Sequence, residues 1–172
     1  FFGVFLFNDS ALAALSIALN VVSIVFIFHR LLKAILILVS IFIWFIAACS
    51  MIFAGVFDKF PSLRVMYSHA GGSFLPTLGR IKHGHSCRPD LVALDNPRSP
   101  DKYLGKFWVD SITHDERLLN FILEMQGAEK ICMGTDYPFP LGDLEFGTFM
   151  EDMNLEEDQL AQLFSGAALS WL

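Results

Sequence analysis

Between residues 63 and 172, three short β-rich runs alternate with helical stretches, and that alternation leaves little choice of architecture. Strands separated by helices cannot be joined by tight hairpins, so they pair in parallel as βαβ units. The first run covers residues 63–68 and leads into His69. A helix is expected over residues 74–85, with Pro76 in its first turn, where a missing N–H leaves no bond unmade. The second strand is Lys106-Phe-Trp-Val-Asp110, followed by a helix over 115–126. The third strand covers 130–134 and leads to Asp136, and a helix over 155–172 follows. Its acidic first turn, Glu156-Glu157-Asp158, suits the positive end of a helix dipole. Residues 87–102 hold Pro89, Pro97 and Pro100 and are expected to form a loop. Three strands do not close a barrel of eight, which typically takes roughly 250 residues, so they read as one arc of a larger (β/α)8 structure.

Two of the strands end in a metal-capable side chain followed by Gly or Pro: Tyr67-Ser-His-Ala-Gly-Gly72 and Met133-Gly-Thr-Asp-Tyr-Pro-Phe139. In a barrel, the residue at the C-terminal end of a strand faces the site while the strand supplies rigidity. His69 is therefore a candidate ligand or acid/base group, and Asp136 a candidate ligand or general base. A helix-capping role for Asp136 is disfavoured, because Pro138 and Pro140 delay any helix.

Residues 1–57 differ in character from the rest. They hold three charged side chains, Asp9, Arg30 and Lys33, whereas residues 58–172 hold 27 and a net charge of −7. That acidic balance argues against a nucleic-acid surface. Residues 11–28 and 34–57 are free of charge, and each run is about long enough to cross a bilayer as a helix. With His29-Arg-Leu-Leu-Lys33 between them, they suggest a membrane hairpin with a cytoplasmic basic turn. A soluble apolar segment is a second reading. A third is translated A-T-rich non-coding sequence, because T at the second codon position specifies Phe, Ile, Leu and Val. Residues 1–46 thus form a separate apolar, helical segment, and residues 47–172 the α/β part, the C-terminal portion of a TIM-like barrel.

Other polar side chains have plainer readings. His83 and His85 follow one another at i and i+2 on an expected helix, about 200° apart, and cannot share an ion. His114 is expected at a helix start, and His29 lies in the apolar segment. Arg80 and Arg88 are candidates for carboxylate recognition, with surface solvation as the alternative. Trp108 and Phe139 suit either an apolar wall of the site or the core. The three cysteines, Cys49, Cys87 and Cys132, show no C-x-x-C spacing and fit free thiols in a reducing compartment, with Cys49 and Cys132 packed in apolar runs.

Longer stretches carry a resemblance. They are Cys49-Ser-Met-Ile-Phe-Ala-Gly-Val-Phe-Asp-Lys-Phe-Pro61, Ser68-His-Ala-Gly-Gly-Ser-Phe-Leu-Pro-Thr-Leu-Gly-Arg-Ile-Lys-His-Gly84, Arg88-Pro-Asp-Leu91, Lys102-Tyr-Leu-Gly105 and Gly134-Thr-Asp-Tyr-Pro-Phe-Pro-Leu-Gly142. Together they closely resemble the 2-amino-3-carboxymuconate-6-semialdehyde decarboxylase family of the amidohydrolase superfamily, over residues 47–172. The resemblance implies a zinc-dependent, non-oxidative decarboxylase of tryptophan–kynurenine catabolism, cytosolic and homodimeric, whose action limits quinolinate and NAD synthesis. It implies that Asp136 ligates the metal, that His69 is the catalytic acid/base, and that Arg80 reaches the substrate carboxylate of a neighbouring subunit. Two departures stand out. The family's remaining metal ligands have no counterpart in this chain, and Ala70-Gly-Gly72 stands where three glycines are usual, which reads as a mild change. A truncated or membrane-anchored half-barrel acting as an interaction or regulatory protein, with membrane contact through residues 11–57, is the alternative.

Overall fold

The computed structural model describes residues 10–172 except 144 and 146, with side chains from Ser23 onward apart from residues 34, 36–38, 40 and 41. The chain divides into two compact units, residues 1–40 and 41–172. Helix α1 (Ser10–Phe53) is 44 residues long and continues through His29–Lys33, so the expected hairpin turn does not form. The reason lies in the residues: this stretch contains no Gly or Pro, and Leu, Arg and Lys are strong helix formers. Ile24, Val25, Ile27 and Phe28 are exposed, and the Arg30 guanidinium lies 4.6 Å from the centre of the Phe26 ring. Among residues with described side chains, no helix is long and apolar enough to cross a membrane.

In the second unit, the charge-free run over residues 34–57 does not stay one helix to its end. Gly55 adopts the left-handed region (φ 67°), which ends α1 and starts the short α2 (Val56–Lys59). Strands β1 (Met66–Tyr67), β2 (Trp108–Asp110) and β3 (Ile131–Cys132) form a parallel sheet in the order β1-β2-β3. The register pairs Tyr67 with Val109, Val109 with Ile131 and Asp110 with Cys132. These strands lie inside the expected ones and are shorter. Helix α3 (Phe74–Cys87) connects β1 towards β2, and α5 (Glu116–Gln126) connects β2 to β3. Asp115 caps α5 by accepting the Leu118 N–H at 3.0 Å.

The stretch over 87–102 is more ordered than a proline-rich loop suggests. It contains α4 (Pro89–Val92) and a 3₁₀ turn (Pro100–Tyr103), each with a proline at its start. Proline is pre-set for the first helical position, so the same residues that argue against long helices nucleate short ones. A short α6 (Thr148–Glu151) precedes the last expected helix, which is divided into α7 (Glu157–Ala161), a π turn (Gln162–Gly166) and α8 (Ala167–Trp171). A capping box between Glu156 and Gln159 opens α7.

Side chains from both faces of the sheet are buried, as a parallel sheet requires. On one face Phe107 makes edge-on contacts with Tyr67 (5.3 Å between ring centres) and Phe74 (5.8 Å), and Phe57 tilts against it. Fully burying one such side chain contributes about 1.5–3 kcal/mol. On the other face Trp108 and Cys132 pack with Ala167, Ala168 and Trp171. The Trp108 indole N–H donates to Ser170 Oγ (3.2 Å), and Lys130 Nζ sits 3.4 Å from a Trp108 ring centre. Trp108 is therefore a core residue, not a wall of the strand-end site. Trp44 and Phe45, near the end of α1, also pack on the main core.

A polar knot ties this end of α1 to the segment before β2. Buried Asn96 donates to the Ile52 carbonyl (2.6 Å) and the Tyr103 hydroxyl (2.7 Å), and its Oδ1 accepts the Arg98 N–H (3.0 Å). The Tyr103 hydroxyl donates to Asp58, which also pairs with Arg98 at 2.8 Å. Replacing Asn96 by Ala leaves those groups short of a partner inside the core, so N96A is expected to lower unfolding stability by about 1–3 kcal/mol with an unchanged urea m-value.

Burial also predicts an alkaline transition. The Cys49 thiol is half-buried, which pushes its pKa up to about 11, and burial raises Tyr67 as well, with Cys49 as a secondary cause. Both groups favour their neutral forms in the folded chain. Their contribution is complete below the ordinary thiol pKa of about 8.5 and is lost as pH rises through the folded values. Urea midpoints are expected to fall from pH 9 to 11, and C49A is expected to flatten that decline.

Candidate functional site

The C-terminal ends of the three strands meet around one carboxylate. Asp110 closes β2, and its Oδ2 accepts the His69 N–H at 2.8 Å. Its Oδ1 accepts the Ala70 N–H at 2.7 Å and the Ile112 N–H at 3.1 Å. Burial raises the pKa of Asp110, while the three N–H groups, and His69 more weakly, pull the other way. From β3, Gly134 lies so close that a Cβ there would stand 2.8 Å from the Asp110 Cβ. The neighbouring Ser111 ties the same strand ends. Its N–H donates to the Cys132 carbonyl (3.0 Å), and its Oγ accepts the Gly134 N–H (3.2 Å).

The loops leaving these strands hold every non-glycine residue with positive φ among the described residues: His69 (55°), Ala70 (53°), His114 (51°) and Asp136 (53°). In that region the Cβ crowds the backbone, at a cost of roughly 1–2 kcal/mol per residue. Such residues persist where surrounding bonds over-determine them, and they gather at functional sites. His69 and Asp136 thus follow β1 and β3, on either side of the strand that ends in Asp110. The His69 imidazole lies 6.5 Å from Trp44, ring centre to ring centre, at a tilt of 42°. Asp136 begins a tight loop in which its carbonyl accepts the Phe139 N–H at 2.9 Å. A side chain at Gly142 would collide with the Thr135 carbonyl.

The other expected residues are dispersed. Arg80 is exposed on α3. His83 and His85 take opposite environments on that helix, exposed and buried, and His85 stacks on Phe53 at 6.3 Å. His83 Nε2 approaches Cys87 Sγ at 3.4 Å. Arg88 forks onto Asp90 at the surface instead of standing open for a ligand. His114 is exposed and lines a cavity of about 160 Å³ with Ser111, Ile112, Asp143, Phe149 and Met150. That volume is below the roughly 300–1,000 Å³ of ordinary ligand pockets. Phe139 is exposed, as are Tyr137 and Leu141 beside it. Cys132 is buried and Cys49 half-buried. Among the described residues, no group of three His, Cys, Asp or Glu side chains is arranged to hold a metal ion.

Two members of the strand-end cluster escaped sequence reasoning. Asp110 carries the same signal as Asp136, a β-rich run ending in a carboxylate, but it precedes Ser instead of Gly or Pro. Trp44 sits within the apolar segment, where no local signal separates it from its neighbours.

The Ala70-Gly-Gly72 loop is less mild a departure than its composition suggests, since Ala70 itself is left-handed (φ 53°, ψ 29°). Gly72, at φ 62° and ψ −133°, occupies a region essentially closed to other residues. Ala70→Gly is expected to raise stability by about 0.5–1 kcal/mol, the relieved strain less the added freedom of the unfolded chain. Gly72→Ala is expected to lower it. Chemical denaturation of both variants measures the two effects.

The sequence pattern of the amidohydrolase family matches residues 38–172. Over 128 residues the chain is 50% identical to the 2-amino-3-carboxymuconate-6-semialdehyde decarboxylase of Dictyostelium discoideum, covering 74% of this chain and 36% of that one. The enzyme of the same name from Caenorhabditis elegans is 41% identical over 106 residues, covering 62% and 26%. Among solved structures, the 5-carboxyvanillate decarboxylase of Novosphingobium aromaticivorans, complexed with manganese and 4-hydroxy-3-methoxy-5-nitrobenzoic acid, superposes with a TM-score of 0.63. It is 24% identical, and the match covers 72% of this chain and 36% of that one. The chain therefore spans about a third of the first relative's length and about a quarter of the second's.

Proposed function

The chain belongs to the amidohydrolase family, and from that premise we propose that it forms the C-terminal part of a metal-dependent, non-oxidative decarboxylase acting on 2-amino-3-carboxymuconate 6-semialdehyde. The observation that carries this reading is the 50% identity to the Dictyostelium decarboxylase over 128 residues, beside a family match over residues 38–172 that includes His69 and Asp136. The proposed setting is the cytosol, in tryptophan–kynurenine catabolism.

In this reading His69 is the acid/base group. When the bond to the leaving carboxylate breaks, CO₂ departs and its electron pair stays on carbon, where the imidazolium delivers a proton. No oxidant or reductant is consumed. Arg80 is proposed to hold the substrate carboxylate of a neighbouring subunit in a homodimer, to which its exposed place on α3 is suited.

Asp136 is proposed as a metal ligand. A divalent ion is the coarser part of this proposal and zinc the finer; manganese occupies the carboxyvanillate enzyme. A catalytic zinc takes three protein ligands. One aspartate and one histidine do not supply them, and the described residues offer no group of three. The residues present therefore do not complete the site, and no step is assigned to the metal. That same observation favours a second reading, in which the chain is an inactive half-barrel serving as an interaction or regulatory partner.

Complementation separates the two. The chain would be co-expressed with the part of the Dictyostelium enzyme that precedes the aligned region, and the complex assayed for bound metal and CO₂ release. The catalytic reading expects one equivalent of divalent metal and turnover. Asp136→Asn is expected to lose the metal, while His69→Gln keeps it and slows turnover about 10²–10⁴-fold. A stable complex without metal supports the second reading. Full turnover by the His69→Gln variant removes the assigned role of that residue.

A further inference from the structure

We propose that Asp110 is the positioning residue for His69, holding the imidazole in place through the backbone at the C-terminal end of β1. The inference rests on the reading of His69 as the acid/base group and names the group on which its placement depends. His69 and Ala70 are consecutive left-handed residues, and they present two successive N–H groups to one carboxylate, at 2.8 and 2.7 Å. Backbone φ at His69 fixes the direction of its Cα–Cβ bond, and hence where the ring can lie. The ring lies beside Trp44. Left-handed backbone at a β-carbon-bearing residue does not hold itself, and bonds to an ionised acceptor are about twice as strong as neutral ones.

The residue type is specific. Three N–H donors converge on two oxygens, and only a carboxylate offers acceptors on both arms. Asparagine would turn an NH₂ towards a donor. The place is specific too, because Gly134 leaves the space in which the Asp110 Cβ sits. Asp110 belongs to β2, the central strand, so its hold on β1 places His69 relative to the whole sheet.

The test is proton–carbon NMR of the histidine-labelled chain, whose five histidines give five ring signals. His69→Gln assigns the His69 signal, and Trp44→Phe measures the ring-current shift that Trp44 imposes on it. Asp110→Asn is expected to move the His69 ring signal by an amount comparable to Trp44→Phe, leaving the other four in place. A core variant, Leu119→Ala, is expected to lower stability without moving it. A His69 ring signal unchanged in Asp110→Asn overturns the proposal. Where Asp110→Asn does not fold, Gly134→Ala crowds Asp110 with its carboxylate intact. Displacement of the His69 signal there supports the proposal, and a fixed signal overturns it. In the complemented enzyme, Asp110→Asn is expected to lower kcat about 100-fold with KM within about twofold, as for a misplaced catalytic group. If kcat is unchanged while the ring moves, positioning for catalysis is excluded. Retained activity in His69→Gln would instead remove the acid/base reading and leave the ring-position result standing.

Discussion

The Asp110 carboxylate is the constraint on which the strand-end geometry depends. A parallel sheet aligns strand directions, but its hydrogen bonds stop where the strands stop, here after two or three residues each. Beyond that point the loops need another source of order. Asp110 supplies it by collecting N–H groups from the β1 loop and from its own, while Gly134 and Ser111 draw the end of β3 against it. The left-handed turns at His69 and Ala70 are unfavourable alone and are stable only as part of this set. Strain and hydrogen bonding are two sides of one arrangement, which is why the unusual backbone lies where the expected chemistry lies.

The sheet was legible in the sequence because hydrophobic alternation and helix signals are local. All three strands fall where β-rich runs end in polar residues, and α3 and α5 match their expected spans within two residues. What was not legible has physical causes of two kinds. Prolines mark both breaks and starts, so the segment holding Pro89 and Pro100 reads as loop although each residue opens a short helix. Apolar composition cannot tell one long helix from two, because only breakers divide them, and residues 10–53 contain none. At the strand ends, His69 and Asp136 were singled out by residue type and place. Asp110 was not, because two of its three N–H partners, His69 and Ala70, lie 41 and 40 residues away, and long-range backbone bonds leave no local pattern.

The end of the apolar helix bears on this too. Its charge-free composition separates it from the acidic remainder, yet the second compact unit begins at residue 41 and includes Trp44, Phe45, Ala48 and Ile52 among its packed side chains. An apolar residue there is indistinguishable by composition from one before residue 40. What differs is the partner: Ala48 and Ile52 are fully buried, whereas Ile24 to Phe28 are exposed. The Asn96 side chain makes the join specific by bonding the Ile52 carbonyl near the helix end, a carbonyl that also accepts the Gly55 N–H at 3.0 Å.

These features set the order in which the site can be assembled. The His69 backbone requires Asp110, Asp110 requires the close approach of Gly134, and Gly134 is held by β3 and Ser111. Each link lies within residues 41–172 and is a hydrogen bond or a packing contact. The backbone geometry of His69 is therefore set by hydrogen bonds and close packing within the folded sheet. Metal binding, when supplied by additional donors, would then act on a strand-end cluster already arranged. The strand ends are thus tied together although, among the described residues, no group of three His, Cys, Asp or Glu side chains is placed to hold a metal ion.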